Sequence, residues 1–442
     1  MIRGRGGGRP PAVAILVTLV TVSLALGATA DDDAPASSPL SDRLPAAVAA
    51  AQKAVEKVRG VPFRSPVASA LLPEKQLGSV LEAKLIEDLP TSFEMYADSL
   101  VAVGLIDPVP GLRKRIANLY TRQVVGFYDP AEKKFYIVPE RAGSSAPDPA
   151  GDLGMDAARL VEESLLAHEL THALQDQRLD LDRRMAALRE NSDALLTLES
   201  LLEGEATVVM AEVLLDRIPP ESRDLLGKDV LGEMVSNLAL VGAGAVDGAD
   251  GVPDFFVKEL LFPYTAGTSW VRRKRGAGWA GIEEAYRHPP ETTAEILHPD
   301  RKTSRTRLAP SDRPSRTEIP AKGRFIYNDS LGEWELLQLL DRSGAGDGAA
   351  EIAAAWQDDR ILFFERSGSP SPGIGFCWRI RCSSPADAAR LAAALLPLYA
   401  ARPAGSRPAV HARGEVVAVD LGTTGRRGPS SRPEAPRKAG SH

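Results

Sequence analysis

The first half of the chain is written mostly in a period of three to four. Apolar residues recur at helical spacing over roughly Leu44–Val58, Glu74–Leu89, Ser92–Val103 and Leu112–Leu119. The period then changes. Gln123–Tyr128 and Lys134–Val138 are short and rich in β-branched and aromatic residues, with Asp129-Pro130 opening the turn between them, which predicts a β-hairpin. Residues 139–155 are dominated by Pro, Gly, Ser and Asp and read as a loop. Helical spacing returns over Val161–Gln177 and Ser192–Ile218, the second stopped by Pro219-Pro220. Residues 241–252 read as a loop. Two further helices are expected over Asp254–Leu261 and Ala266–Arg275, joined through Phe262-Pro263-Tyr264.

Residues 299–324, rich in Pro and Arg, read as a linker. Beyond it, Leu331–Leu340, Ala349–Trp356 and Pro385–Tyr399 read as helices, and Ile361–Glu365, Gly375–Cys382 and Glu415–Asp420 as strands. The expected fold class is therefore α+β and mostly α. A main domain over 42–298 carries a short hairpin before a long helix, and a small α+β module covers 325–420. Residues 421–442, mostly polar, Pro-containing and basic, are expected to be a disordered tail.

The N-terminus changes the compartment. Arg3, Arg5 and Arg9 precede an almost wholly apolar run from Ala12 to Gly27, and Ala28-Thr29-Ala30 follows as a cleavage signature. Residues 1–30 read as a signal peptide and 31–41 as a disordered leader. This predicts an exported protein with no stable membrane anchor after cleavage. The 442-residue chain has a net charge of −6, and the signal segment contributes three arginines and no acid, so the remainder is more acidic still. That balance argues against nucleic acid as a partner. Cys377 and Cys382 are the only cysteines. Five apart on an expected strand, they face opposite sides, so two free thiols are at least as well supported as a bridge.

The chemistry concentrates in His168-Glu169-Leu170-Thr171-His172, an H-E-x-x-H run inside a predicted helix. Positions four apart share a helical face, so His168 and His172 can aim two imidazole nitrogens at one metal ion. Glu169 borders that face, where a carboxylate can take a proton from a metal-bound water. A catalytic zinc usually has a third protein ligand. Gln175 stands where a turn-forming glycine would announce a nearby third histidine, and the next histidine is His288. The other source is a carboxylate on the following helix, where Glu203 and Glu205 lie two apart and point in different directions.

Here the chain resembles the gluzincins, zinc peptidases with H-E-x-x-H and a downstream glutamate. In one aminopeptidase branch the ligand glutamate opens an E-G-x-A stretch, and Glu203-Gly204-Glu205-Ala206 matches it. The resemblance implies Zn²⁺ held by His168, His172 and Glu203, with Glu169 as general base in peptide hydrolysis. The G-x-M-E-N stretch of that branch is absent, so its exopeptidase specificity is not implied. Gly126–Pro130, Pro263–Gly267 and Ile296–Pro299 extend a looser resemblance to exported bacterial gluzincin-like proteins. It also implies an oxyanion donor from downstream, for which Tyr264 and His298 are the candidates. Asp176, Glu199 and Glu205 are candidates to orient the metal ligands. The expected partner is a peptide or protein substrate, and the resemblance implies that an extended peptide pairs with the edge of the 123–138 hairpin. The rival expectations are an exported binding protein with a structural zinc or inactive site, and a zinc hydrolase of a non-peptide amide.

Overall fold

Apolar spacing of three and four residues winds the start of the chain into α1 (Leu40–Arg59), α2 (Glu74–Glu87), α3 (Phe93–Val103) and α4 (Leu112–Gln123), with a short strand β1 (Ala68–Leu71) between the first two. The computed structural model describes residues 40–423, apart from 88, 143–156, 218–248, 277, 302–304 and 367–372. The expected signal peptide, most of the leader, all but three residues of the tail, and most of the 139–155 and 241–252 loops lie outside the described residues. The fold is α+β and mostly α. No described helix is long and apolar enough to cross a membrane.

The hairpin forms from β2 (Gly126–Asp129) and β3 (Lys134–Ile137). Asp129 closes its turn by accepting from the N–H groups of Ala131 and Glu132 at 3.0 and 3.1 Å. β1 joins parallel to β3, giving the order β1-β3-β2. This third strand was not expected, because four half-exposed residues carry no clear alternation. Residues 139–142, read as loop, form a one-turn helix, α5 (Pro139–Ala142).

α6 (Ala157–Leu179) and α7 (Leu181–Ala187) lead into α8 (Ser192–Arg217). α6 and α8 pack antiparallel, as the Gln175–Leu202 and Glu163–Arg217 contacts show. α8 is buried on nearly every side from Leu196 to Ala211, as expected of a helix at the centre of a domain rather than on its surface. Next come α9 (Asp254–Phe262), a π-helical turn (Pro263–Gly267), α10 (Thr268–Arg275), α11 (Ala280–Arg287) and α12 (Thr293–Leu297). Pro263 has no N–H to donate, and the irregular turn at that point replaces the break expected between two helices.

The C-terminal part comprises β4 (Gly323–Asp329), α13 (Gly332–Ser343), α14 (Ala349–Ala353), β5 (Trp356–Arg366), β6 (Gly373–Cys382), α15 (Pro385–Ala400), β7 (Ala409–Arg413) and β8 (Val416–Leu421). The strands form one antiparallel sheet ordered β4-β5-β6-β8-β7. The helix expected to reach Trp356 ends at Ala353, and Trp356 opens β5 instead. β7 was not anticipated; its largely exposed side chains give no apolar pattern to read. The expected linker contains a 3₁₀ turn at Arg316–Glu318, closed by a reciprocal cap between Ser315 and Glu318. Cys377 and Cys382 are free and buried, one against Leu362 and Phe364 and the other in the main core.

That main core does not stop at the linker. One continuous apolar cluster runs from Phe93 and Leu202 through Trp270 and Trp334 to Phe376 and Leu421. Polar groups lock the same junction. Asp359 accepts from the N–H groups of Leu331 and Gly332 (both 3.0 Å) and from the indoles of Trp356 (3.0 Å) and Trp378 (2.8 Å). Asp193 of α8 accepts from Thr293 N (2.8 Å) and Thr293 Oγ1 (2.6 Å). Gly332 lies so close that a Cβ there would stand 1.9 Å from Asp193 Oδ1, and its φ of +77° is one that side chains rarely adopt.

Candidate metal centre

α6 carries His168 and His172 on one face, one turn apart, and α8 runs past that face with Glu203. All three are almost fully buried. His168 Nε2 stands 3.1 Å from His172 Nε2 and 3.1 Å from Glu203 Oε2, and His172 Nε2 stands 3.5 Å from Glu203 Oε2. Ligand atoms about 2.0–2.2 Å from a shared tetrahedral ion stand about 3.3–3.6 Å apart; one edge of the triangle lies in that range and the two at 3.1 Å are slightly shorter.

The electrostatics ask for a cation in the same place. Burial pushes the His168 imidazole below its ordinary value. Burial also opposes charge on His172, but the Glu203 carboxylate outweighs it and holds His172 at about 9. Burial would raise Glu203, yet His172 and His168 bring it down to about 2. The three groups thus favour one positive charge among their converging atoms, carried by a proton or by a bound cation.

Glu169 is 3 % exposed, and its Oε2 accepts from the backbone N–H of Tyr128 at 2.9 Å. β2 is an edge strand, so its unpaired side faces α6 and fixes the carboxylate beside the histidines. Asp176 anchors this arrangement. It accepts from the Tyr128 hydroxyl (2.8 Å), Lys133 Nζ (2.8 Å) and Leu181 N (2.9 Å), tying the hairpin to α6 and capping α7.

The expectation that Asp176 orients His172 is corrected. Gln175 does so: His172 Nδ1 donates to Gln175 Oε1 at 2.9 Å, and Gln175 Nε2 donates to Leu202 O (2.9 Å) and Glu205 Oε2 (3.0 Å). This hydrogen bond leaves the His172 Nε2 lone pair for a metal. Glu205 faces away from the cluster and is fully buried, bonded to Arg59 and to the Tyr286 hydroxyl. Arg59 also bonds Glu283 at 3.1 Å and lies over the Trp279 ring, 4.2 Å from its centroid. The sequence signal for Gln175 was its position three residues after His172. Arg59 and Tyr286 had none, since they arrive from 146 and 81 residues away.

Tyr264 joins the site, its ring stacked on His168 with centroids 6.3 Å apart. The π turn that carries it is pressed against α8 through glycine on both sides. A Cβ on Gly204 would stand 2.4 Å from the Gly267 carbonyl, and one on Gly267 would stand 2.3 Å from Ser200 O. Gly204 therefore admits the π turn against α8. His298 is not in the cluster. Its Nε2 pairs with Glu333 at 2.6 Å, at the junction with the C-terminal part. Glu199 lies along a cleft of about 200 Å³ that opens beside Glu203 and Tyr264. Glu318, Cys377 and Asp420 form another group of possible ligands, but Arg379 bonds both acids and supplies the positive charge itself.

Residues 323–427 match a domain family of unknown function, DUF8575, which covers the C-terminal part and none of the His168–His172–Glu203 group. No curated protein matches the chain. A crystal structure from Chloroflexus aurantiacus, described as "a putative hydrolase with a novel fold", aligns over 60 % of this chain and 90 % of its own at 18 % identity, with a TM-score of 0.36.

Proposed function

We propose that the chain is an exported zinc-dependent peptidase of gluzincin type, with His168, His172 and Glu203 as metal ligands and Glu169 as general base. The observation that carries this reading is the triangle of buried ligand atoms at 3.1, 3.1 and 3.5 Å, with a carboxylate held next to it by a strand backbone. Bound zinc supplies a water acidified to a pKa of about 7 and a Lewis acid for the scissile carbonyl.

The side chains divide the remaining work. Gln175 fixes the ring of His172, so the imidazole does not turn when its Nε2 is engaged. The Tyr128 N–H holds Glu169 where it receives a proton from the attacking water and returns it to the leaving amine. Tyr264, stacked on His168 and lining the cleft, is the candidate donor to the oxyanion; His298, paired with Glu333, is withdrawn from that role. Asp176 and Glu205, the acids that would have closed a four-ligand structural site, are both engaged elsewhere. Three protein ligands among the described residues leave a position for water, which favours catalysis over a structural ion.

The test is zinc stoichiometry together with cleavage of a peptide library. Wild type is expected to bind one zinc per chain and to cleave, and Glu169→Gln to keep the zinc and lose cleavage. Full activity in Glu169→Gln, or zinc retained by Glu203→Ala and lost by Glu205→Ala, would overturn the assignment.

A further inference from the structure

The cleft beside the metal cluster has apolar walls and acidic flanks. α2, α3 and the segment between them supply Leu85, Leu89 and Phe93, and α8 and α9 supply Leu195, Phe256 and Leu260. Two carboxylates outside the ligand set, Glu199 and Glu259, also line it. Glu199 lies four residues before Glu203 and Glu259 five before Tyr264, so at 1.5 Å per residue they are displaced about 6 and 7.5 Å along the chain from the two residues that border the cluster. Both act on the phenol of Tyr120, another residue of the same wall, so they share one section of the cleft. Its arginine, Arg189, stands before the first turn of α8, 14 residues ahead of Glu203 in the chain.

Glu259 is the unusual member. Among the described residues no donor or cation bonds it, and the charged group that acts on it is a second acid, Asp329. A carboxylate half-buried between leucine and phenylalanine without a partner is costly, and a cation arriving with its own apolar stem relieves that cost.

Resting on the peptidase reading above, we propose that this cleft is the specificity pocket and that it takes a lysine or arginine side chain adjoining the scissile bond, with Glu259 as the residue that recognises its charge. An extended lysine spans about 6 Å from Cα to Nζ, which is close to the displacement of the two acids. Its methylenes lie along Leu89, Phe93 and Leu260, and its ammonium reaches Glu259 and Glu199. A volume of about 200 Å³ holds one long side chain and not a folded partner. Burial holds the Glu259 carboxyl up at about 7, consistent with a group that lacks its counter-charge until substrate arrives.

The test uses zinc-loaded protein and Nα-acetylated peptides that differ at one position, lysine against its uncharged isostere norleucine. A parallel calorimetric titration compares Nα-acetyl-lysine amide with Nα-acetyl-norleucine amide. Lysine is expected to be favoured about tenfold or more in kcat/KM and in binding. Glu259→Gln is expected to lower that ratio about tenfold, and Glu259→Asp, which keeps the charge, to retain part of it; unfolding curves confirm that both variants fold. Equal use of lysine and norleucine, or a ratio unchanged in Glu259→Gln, overturns the pocket while leaving peptide hydrolysis intact. A preference that follows a free N-terminus instead of the side chain also overturns it. Lysine amide binding that depends on Glu259, in a protein that cleaves no peptide, sustains the pocket and removes the peptidase reading. Neither binding nor cleavage removes both.

Discussion

Replacing Gly204 by alanine tests how the end of the cleft beside Glu203 and Tyr264 is built. Inside an exposed helix, Gly→Ala ordinarily stabilises by about 0.8–1 kcal/mol. At Gly204 the new Cβ would stand 2.4 Å from both the carbon and the oxygen of the Gly267 carbonyl, and 2.8 Å from Thr268 N. All three atoms are backbone, so no rotamer change relieves the clash. The π turn must retreat by about 1 Å to restore ordinary contact distances. A clash this close against backbone falls in the upper part of the overpacking range, about 2–3 kcal/mol, so it outweighs propensity and leaves a net loss of about 1–2 kcal/mol. Gly78, inside α2, is the matched control. The nearest atom to its Cβ would be Thr121 Oγ1 at 3.8 Å, so Gly78→Ala is expected to gain about 0.5–1 kcal/mol. Urea unfolding of the two variants should therefore move in opposite directions. The same retreat carries Tyr264 away from His168, and a misplacement of 1 Å at a reacting centre costs about 10²-fold in rate. The reasoning is refuted if Gly204→Ala is as stable as wild type, or if both variants shift alike.

Four other outcomes follow from the geometry. Glu169→Gln should lower kcat by at least about 10²-fold with zinc content unchanged by atomic absorption. Gln175→Ala frees the His172 ring and should weaken zinc binding about 10- to 100-fold in a chelator competition. Asp359→Ala strands two backbone N–H groups and two indoles, and should cost about 3–5 kcal/mol in urea unfolding followed by tryptophan fluorescence. Glu259 binds its proton more tightly in the native state than at its ordinary value of 4.5, so its contribution is complete below that pH and lost as pH rises through about 7. The unfolding midpoint of Glu259→Gln should accordingly fall less than that of wild type between pH 4.5 and 7.5.

The long periodic segments were legible because period is a local property. The helices bearing His168, His172 and Glu203 were placed from spacing alone, and the structure brings those three side chains together. What spacing did not reveal is where the remaining groups on a helix point. Asp176 and Gln175 are adjacent, and only packing decides that the amide turns to His172 while the acid turns to the hairpin. Glu205 and Arg59 illustrate the same limit at long range: a buried ion pair 146 residues apart leaves no periodic trace in either segment. His298 had the right residue type and a suggestive neighbour in Pro299, but its partner Glu333 lies across the junction, 35 residues on. Strands β1 and β7 escaped because their half-exposed or largely exposed residues carry little apolar alternation.

The core that runs unbroken past the 299–324 segment bears on what a cut there would do. The two pieces would each expose half of one apolar surface, along with donors that Asp193 and Asp359 now satisfy from the other side. A nicked chain should therefore behave as a fragment-complementation pair, held together without the peptide bond, and neither fragment should stay soluble when separated. The same holds for residues 323–423 of this chain taken alone, whose apolar face is already committed to the helices before them.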